Sequence, residues 1–376
     1  MSAAWPEELP PGFEFERYTI VECVWRGNVA SVYRASTPKG KYSQVALKVF
    51  DRTTPDRLAN FRRRSRNARA AAAVRHPNLA TILALGVWQE RPFVVTEWLD
   101  GRDLEEYLDR WGVMAEDEVA ELGLHLIAGL MALHDAGAEH GDLKPSSVFL
   151  SDGWESDVIP KLLLSELPQL NALASPVDST TRQIVIGSPA YTPPEAVRQK
   201  GRGPTGDQYS LGAVLYECAV GQAPFVGDTP LELLRAIALG KFAAPRTLRP
   251  ELSEALEVTL LRALETDPAA RFESLRDMGR ALWPLASDHA KDAWASTFGT
   301  RDGAPLTGGT GAAIRVRARA RRPPVSARPA ALLLLVASIA LSLGLGAFYF
   351  FNARGSSEPS PPRSDPRDSP TPNARF

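Results

Sequence analysis

Eight residues near the middle of this chain, His140-Gly141-Asp142-Leu143-Lys144-Pro145-Ser146-Ser147, restrict its fold more than any other stretch. They belong to a series of short segments whose order and spacing mean more than any one of them. Upstream stand Val45-Ala46-Leu47-Lys48, Glu97-Trp98-Leu99-Asp100-Gly101 and Leu133-His134-Asp135-Ala136-Gly137. Downstream stand Gly187-Ser188-Pro189-Ala190-Tyr191-Thr192-Pro193-Pro194-Glu195, Asp207-Gln208-Tyr209-Ser210-Leu211-Gly212 and Asp267-Pro268-Ala269-Ala270-Arg271-Phe272. Taken singly, each has a bland explanation. A lysine that ends an apolar strand, as Lys48 does, is ordinarily a solvated edge charge. The ordered set argues against that explanation here.

Together these segments resemble the protein kinase family, and with the basic linker and apolar run that follow them the layout is similar to that of the membrane-anchored serine/threonine kinases of bacteria. The resemblance covers residues 18–285, behind a short extension at 1–17. It implies an α+β fold of two lobes, a small β-rich amino-terminal lobe and a large helical carboxyl-terminal lobe. The family's catalytic loop reads HRDLKPxN. Asp142 therefore falls on the base that orients and deprotonates the acceptor hydroxyl, and Lys144 on the residue that steadies the transferred phosphoryl group. Lys48 becomes the candidate partner of the nucleotide's α/β-phosphates. Gly27, Val32, Ala46, Glu97 and Leu99 are the remaining candidate nucleotide contacts, the segment 97–101 meeting the adenine through backbone groups. Arg271 would pair with Glu195, and Asp207 opens a segment matching the buried helix that carries the large lobe.

The pattern then breaks where the metal and phosphates should bind. The Gly-rich loop GxGxxGxV corresponds to Trp25-Arg26-Gly27-Asn28-Val29-Ala30-Ser31-Val32, in which Gly27 alone of the three glycines survives. Glycine lets backbone approach phosphates with no Cβ in the way. Ala30 is a mild change, whereas Trp25 puts a bulky ring where the loop must fold over the nucleotide. The glutamate that should pair with Lys48 is replaced by Asn67, or by Arg64 after a one-turn slip. The DFG motif reads Leu164-Ser165-Glu166, so the aspartate that carries Mg²⁺ has become apolar. The catalytic-loop asparagine is Ser147, whose hydroxyl is a weaker Mg²⁺ ligand than an amide carbonyl. The arginine of HRD, which grips a phosphate on the activation loop in typical members, is Gly141. Glu166 points to the same strand side as the lost aspartate and is the one acid that could reach a cation in its stead. No residue is assigned as a metal ligand. Losing one electrostatic stabiliser typically costs about 10²–10³ in rate, and parts that act as a unit do not simply multiply.

Outside the kinase-like region, composition decides the layout. Residues 286–329 are rich in Gly, Ala, Thr, Arg and Pro and read as a flexible juxtamembrane linker. Residues 330–351 carry no charge and are long enough to span a bilayer, with Tyr349, Phe350 and Phe351 as an aromatic edge. Arg315, Arg317, Arg319, Arg321, Arg322 and Arg328 precede this run, while Arg354, Arg363 and Arg367 beyond it alternate with Glu358, Asp365 and Asp368. The positive-inside rule then places a single-pass protein in the inner membrane, kinase-like domain in the cytoplasm. The Ser/Pro-rich tail at 352–376 is too polar to fold and would lie outside. Cys23 and Cys218 are too few and too scattered for a disulfide framework or a zinc site. The basic run Arg62-Arg63-Arg64-Ser65-Arg66-Asn67-Ala68-Arg69 is either a solvated face or a docking face for an acidic partner or membrane lipid.

Two functions fit this mixture. One is a signalling pseudokinase that binds ATP weakly and independently of Mg²⁺ and works through a protein partner, such as another kinase or its substrate. The other is an active but atypical serine/threonine kinase that moves the ATP γ-phosphate to protein hydroxyls. Lys48, Asp142 and Lys144 favour the second; the altered metal and lysine machinery favours the first. A nucleic-acid partner is not expected.

Overall fold

The structure is a computed structural model that describes residues 8–27, 30–38, 42–51, 66–151, 157–164, 189–198, 203–299 and 314–315. The amino-terminal part is built on strands β1 (Glu14–Phe15), β2 (Tyr18–Arg26), β3 (Ala30–Ser36) and β4 (Gln44–Phe50). Helix α1 (Arg66–Ala73) and strands β5 (Ile82–Trp88) and β6 (Arg91–Glu97) complete it. The sheet is antiparallel, in the order β1-β2-β3-β4-β6-β5. Alternation along β4 sorts its residues. Val45, Leu47 and Val49 join Phe15, Ile20 and Val95 in a core of the small lobe. Ala46 and Lys48, offset by one, fall on the opposite face.

A second small sheet follows, in which β7 (Gly101–Asp103), β8 (Val148–Ser151) and β10 (Pro160–Leu162) pair antiparallel in the order β10-β8-β7. Between β8 and β10 lies β9 (Asp157–Val158). Helix α2 (Leu104–Trp111) starts at Asp103, whose carboxylate accepts the Glu106 amide hydrogen at 2.8 Å. That cap satisfies one of the helix's orphan amides. Helix α3 (Glu116–Asp135) is apolar around most of its circumference and is buried accordingly. The large lobe continues with α4 (Pro194–Val197), α5 (Gly203–Val220), α6 (Pro230–Leu239), α7 (Pro245–Leu248), α8 (Glu254–Ala263) and α9 (Leu275–Leu282). Helix α5 is buried from Gly206 to Tyr216, as expected for the helix that carries this lobe. One continuous apolar core joins Phe50 and Ala71 of the small lobe to Leu79, Leu164, Leu143 and Leu126 below. The two-lobed arrangement implied by the sequence is therefore present.

One expectation needs correction. Residues 288–298, counted within the flexible linker at 286–329, form helix α10 (Asp288–Phe298). Ser287 caps it by accepting the Ala290 amide hydrogen at 3.3 Å. Ala290, Trp294 and Phe298 recur every fourth residue and are buried, Trp294 meeting His125 of α3 edge-on at 5.0 Å. The Ser287 amide also donates to Glu121 of α3, and Arg276 of α9 donates to the Thr297 carbonyl. A three-residue apolar stripe is enough to dock this helix because it lands on an already apolar surface. Further on, β11 (Ile314–Arg315) pairs with β9. No helix among the described residues is long and apolar enough to cross a membrane, and the run 330–351 lies outside them.

Candidate functional site

A cavity of about 770 Å³ opens where β2, β3, β4 and the segment 96–101 face β8 and the loop after α3. Val32, Ala46, Leu99, Phe149 and Leu163 give it apolar walls, and Lys144 and Ser146 form part of its floor. Of the residues expected to contact nucleotide, Val32, Ala46, Glu97 and Leu99 line it. Gly27, Lys48 and Asp142 are outside its lining. Lys48 is buried beside it, with Nζ 5.4 Å from the centre of the Phe50 ring. The Glu97 carboxylate is committed to the protein: it pairs with Lys161 Nζ at 2.9 Å and accepts the Thr81 amide hydrogen at 2.8 Å. It therefore fixes the segment in place and leaves contact with a ligand to backbone. Trp98, within the segment 97–101, also lines the cavity, as do Phe149 and Leu163, which sequence reading passed over. Phe149 lies two residues after Ser147 on β8, and Leu163 directly precedes Leu164, so strand alternation was the available signal.

The catalytic loop keeps its shape. Asp142 Oδ2 lies 3.1 Å from Lys144 Nζ, both groups partly exposed. The loop hangs from one buried carboxylate. Asp207 accepts the amide hydrogens of His140 and Gly141 at 2.9 and 2.7 Å, and lies 2.8 Å from His134 Nε2. Burial pushes this carboxyl up, but the His134 hydrogen bond, the two histidines' charge and the Gly141 amide hold it below its ordinary range. A depressed carboxyl adds stability above its unfolded pKa and loses it as pH falls through the folded value. Gly141 itself sits at φ 72°, a left-handed conformation that favours glycine. Lower down, Glu195 and Arg271 form the expected pair through two parallel bonds of 2.8 Å.

The positions that should hold Mg²⁺ do not fit it. Leu164 is 1 % exposed and packed in the core that joins the lobes. The Ser147 hydroxyl is fully buried and turned onto the loop itself, accepting the Lys144 amide hydrogen at 3.0 Å and donating to the Lys144 carbonyl at 2.8 Å. Among the described residues, no group of three or more His, Cys, Asp or Glu could hold a metal ion. Glu166, Arg64 and the activation-loop hydroxyls Ser175, Ser179, Thr180 and Thr181 lie outside the described residues. Asn67 lies on α1, and its side chain is outside them.

Comparison with known proteins places this geometry. Residues 18–281 match the protein kinase domain family. The probable serine/threonine-protein kinase PknB of Lactococcus lactis is 29 % identical over 267 residues, covering 70 % of this chain and 41 % of that protein. Serine/threonine-protein kinase PknL of Mycobacterium tuberculosis is 31 % identical over 281 residues, covering 73 % and 67 %. The crystal structure of the M. tuberculosis PknI kinase domain superposes with a TM-score of 0.59 at 26 % identity, covering 74 % of this chain and 100 % of that one. The match thus spans about two fifths of the Lactococcus protein. With its lobes, cleft and catalytic loop in the family's places, the chain belongs to the protein kinase domain family, among the eukaryotic-like serine/threonine kinases of bacteria.

Proposed function

We propose that this chain is a signalling pseudokinase, a kinase fold that binds partners and transfers little or no phosphate. The observation that carries the reading is Leu164: where a carboxylate should reach into the cleft, an apolar side chain closes the core. Phosphoryl transfer depends on charge neutralisation at the phosphates, and the residues for it are missing from both standard metal positions. The alternative, an active atypical serine/threonine kinase, rests on the retained Asp142–Lys144 pair. Incubating the full chain with radiolabelled Mg-ATP separates the two. Transfer to itself or to a general protein substrate is expected at least about a thousandfold below an ordinary kinase. Ordinary turnover that disappears in Asp142→Asn would refute the pseudokinase.

The same reading includes membrane anchorage. Residues 330–351 would cross the inner membrane once, with the arginines from Arg315 to Arg328 on the cytoplasmic side, favouring anionic lipid by about 1 kcal/mol each near the surface. The basic run at 62–69 would serve as the face for an acidic protein partner. A reporter enzyme active only in the periplasm should work when fused after Phe376 and be silent when fused at Ala313 of a truncated chain. The opposite pattern excludes this topology.

A further inference from the structure

One end of the cavity is lined by an aromatic side chain that lies over the loop expected to meet phosphates. Trp25 lines the cavity, and its indole lies directly over Gly27, so close that a Cβ there would collide with the ring. The Gly27 amide is turned inward and donates to the Ala30 carbonyl at 3.0 Å. The backbone that would cradle phosphates is therefore covered by an aromatic ring and partly spent on its own hairpin. The opposite end is a built, apolar slot between Val32 and Ala46 above and Phe149 and Leu163 below, of a size suited to a small organic ligand.

Charge points the same way. The lining holds Glu97, Asp100, Asp103 and Glu105 against a single cation, Lys144. Lys144 is paired with Asp142 and Glu97 with Lys161. Asp100 and Asp103 accept the Trp98 indole and Glu106 amide hydrogens, neutral donors that do not cancel their charge, and Glu105 is exposed. Asp103 is raised from its ordinary range, chiefly by burial and in part by the charges of Glu106 and Asp109. A triphosphate carries about four negative charges into this field when no metal neutralises it.

We propose that the cleft is a nucleoside site: it takes a flat, uncharged heterocycle of nucleoside size and discriminates against the phosphorylated forms, with Trp25 as the residue that sets this specificity. The proposal rests on the pseudokinase reading and gives its cleft a ligand class. Titration calorimetry of the full chain tests it, with adenosine and ATP as probes, each with Mg²⁺ and with chelator. Adenosine should bind at least about threefold more tightly than ATP in both conditions, the charge of the rim acting on ATP alone. Trp25→Gly uncovers the loop and should reverse that order. Trp25 is 52 % exposed, so the variant should fold. Glu105→Gln, an exposed and independent change, should raise ATP affinity more than adenosine affinity. A wild-type preference for ATP, no saturable binding of either probe, or the same ratio in both variants overturns the proposal. Preference for ATP without transfer would sink the nucleoside site alone, whereas transfer itself would sink the pseudokinase reading.

Discussion

Glu195→Ala should lower stability by about 3–5 kcal/mol, a fall in Tm of about 10 °C for a domain of this size. The variant leaves the Arg271 guanidinium in place, 2 % exposed and without its carboxylate. In the intact protein four of its five N–H donors are used, on both Glu195 oxygens and on the carbonyls of Glu265 and Thr205. The guanidinium also stacks over Tyr209 at 4.9 Å. Removing the anion strands a buried charge, which costs more than the pair contributes net. Glu195→Gln keeps one acceptor and should lose less. Thermal unfolding of the three proteins checks the order, and an alanine variant within about 2 °C of the parent would contradict it.

Leu164→Asp is the residue change that would rewrite the metal motif, and it is expected to damage the protein instead. The position is buried in the same apolar core as Leu79, Leu143 and Leu162, so the new carboxylate would be stripped of water. Burial of this kind costs about 4 kcal/mol or more, taken either as unpaired charge or as a pKa forced upward. The variant should melt about 10 °C lower and show no added stabilisation by Mg-ATP. A variant that keeps its melting temperature and gains such stabilisation would mean that the side chain can swing into the cleft, and the argument from Leu164 would fall.

The parts of this molecule that were legible in the sequence are those fixed by rare, oppositely charged or strictly spaced residues. Glu195 and Arg271 could be paired across 76 positions because each stands in a segment that resembles a kinase motif, and the resemblance implies the pair. Asp142 and Lys144 sit two apart in a loop with little freedom. The cavity was half legible: Val32, Ala46, Glu97 and Leu99 line it, but the Glu97 side chain is turned to Lys161, which spacing cannot reveal. Lys48 was expected at phosphates and is buried beside the cavity rather than lining it. Helix α10 was missed for a different reason. Six of its eleven residues are polar, and only the four-residue spacing of Ala290, Trp294 and Phe298 behind the capping Ser287 marks it.

That helix has a mechanical consequence. Tension on the chain beyond β11 meets the two-residue β11–β9 pairing first and, once that yields, reaches the large lobe through α10. Trp294 and Phe298 act as a plug held across the grain of α3 and α9, with burial contributing on the order of 5 kcal/mol for the two rings. A pull along the helix axis would have to shear both rings free at once. A pull away from the surface would unzip them one at a time, Phe298 first. The direction in which the carboxyl-terminal segment leaves the lobe thus sets how much load the domain can bear before its core is opened.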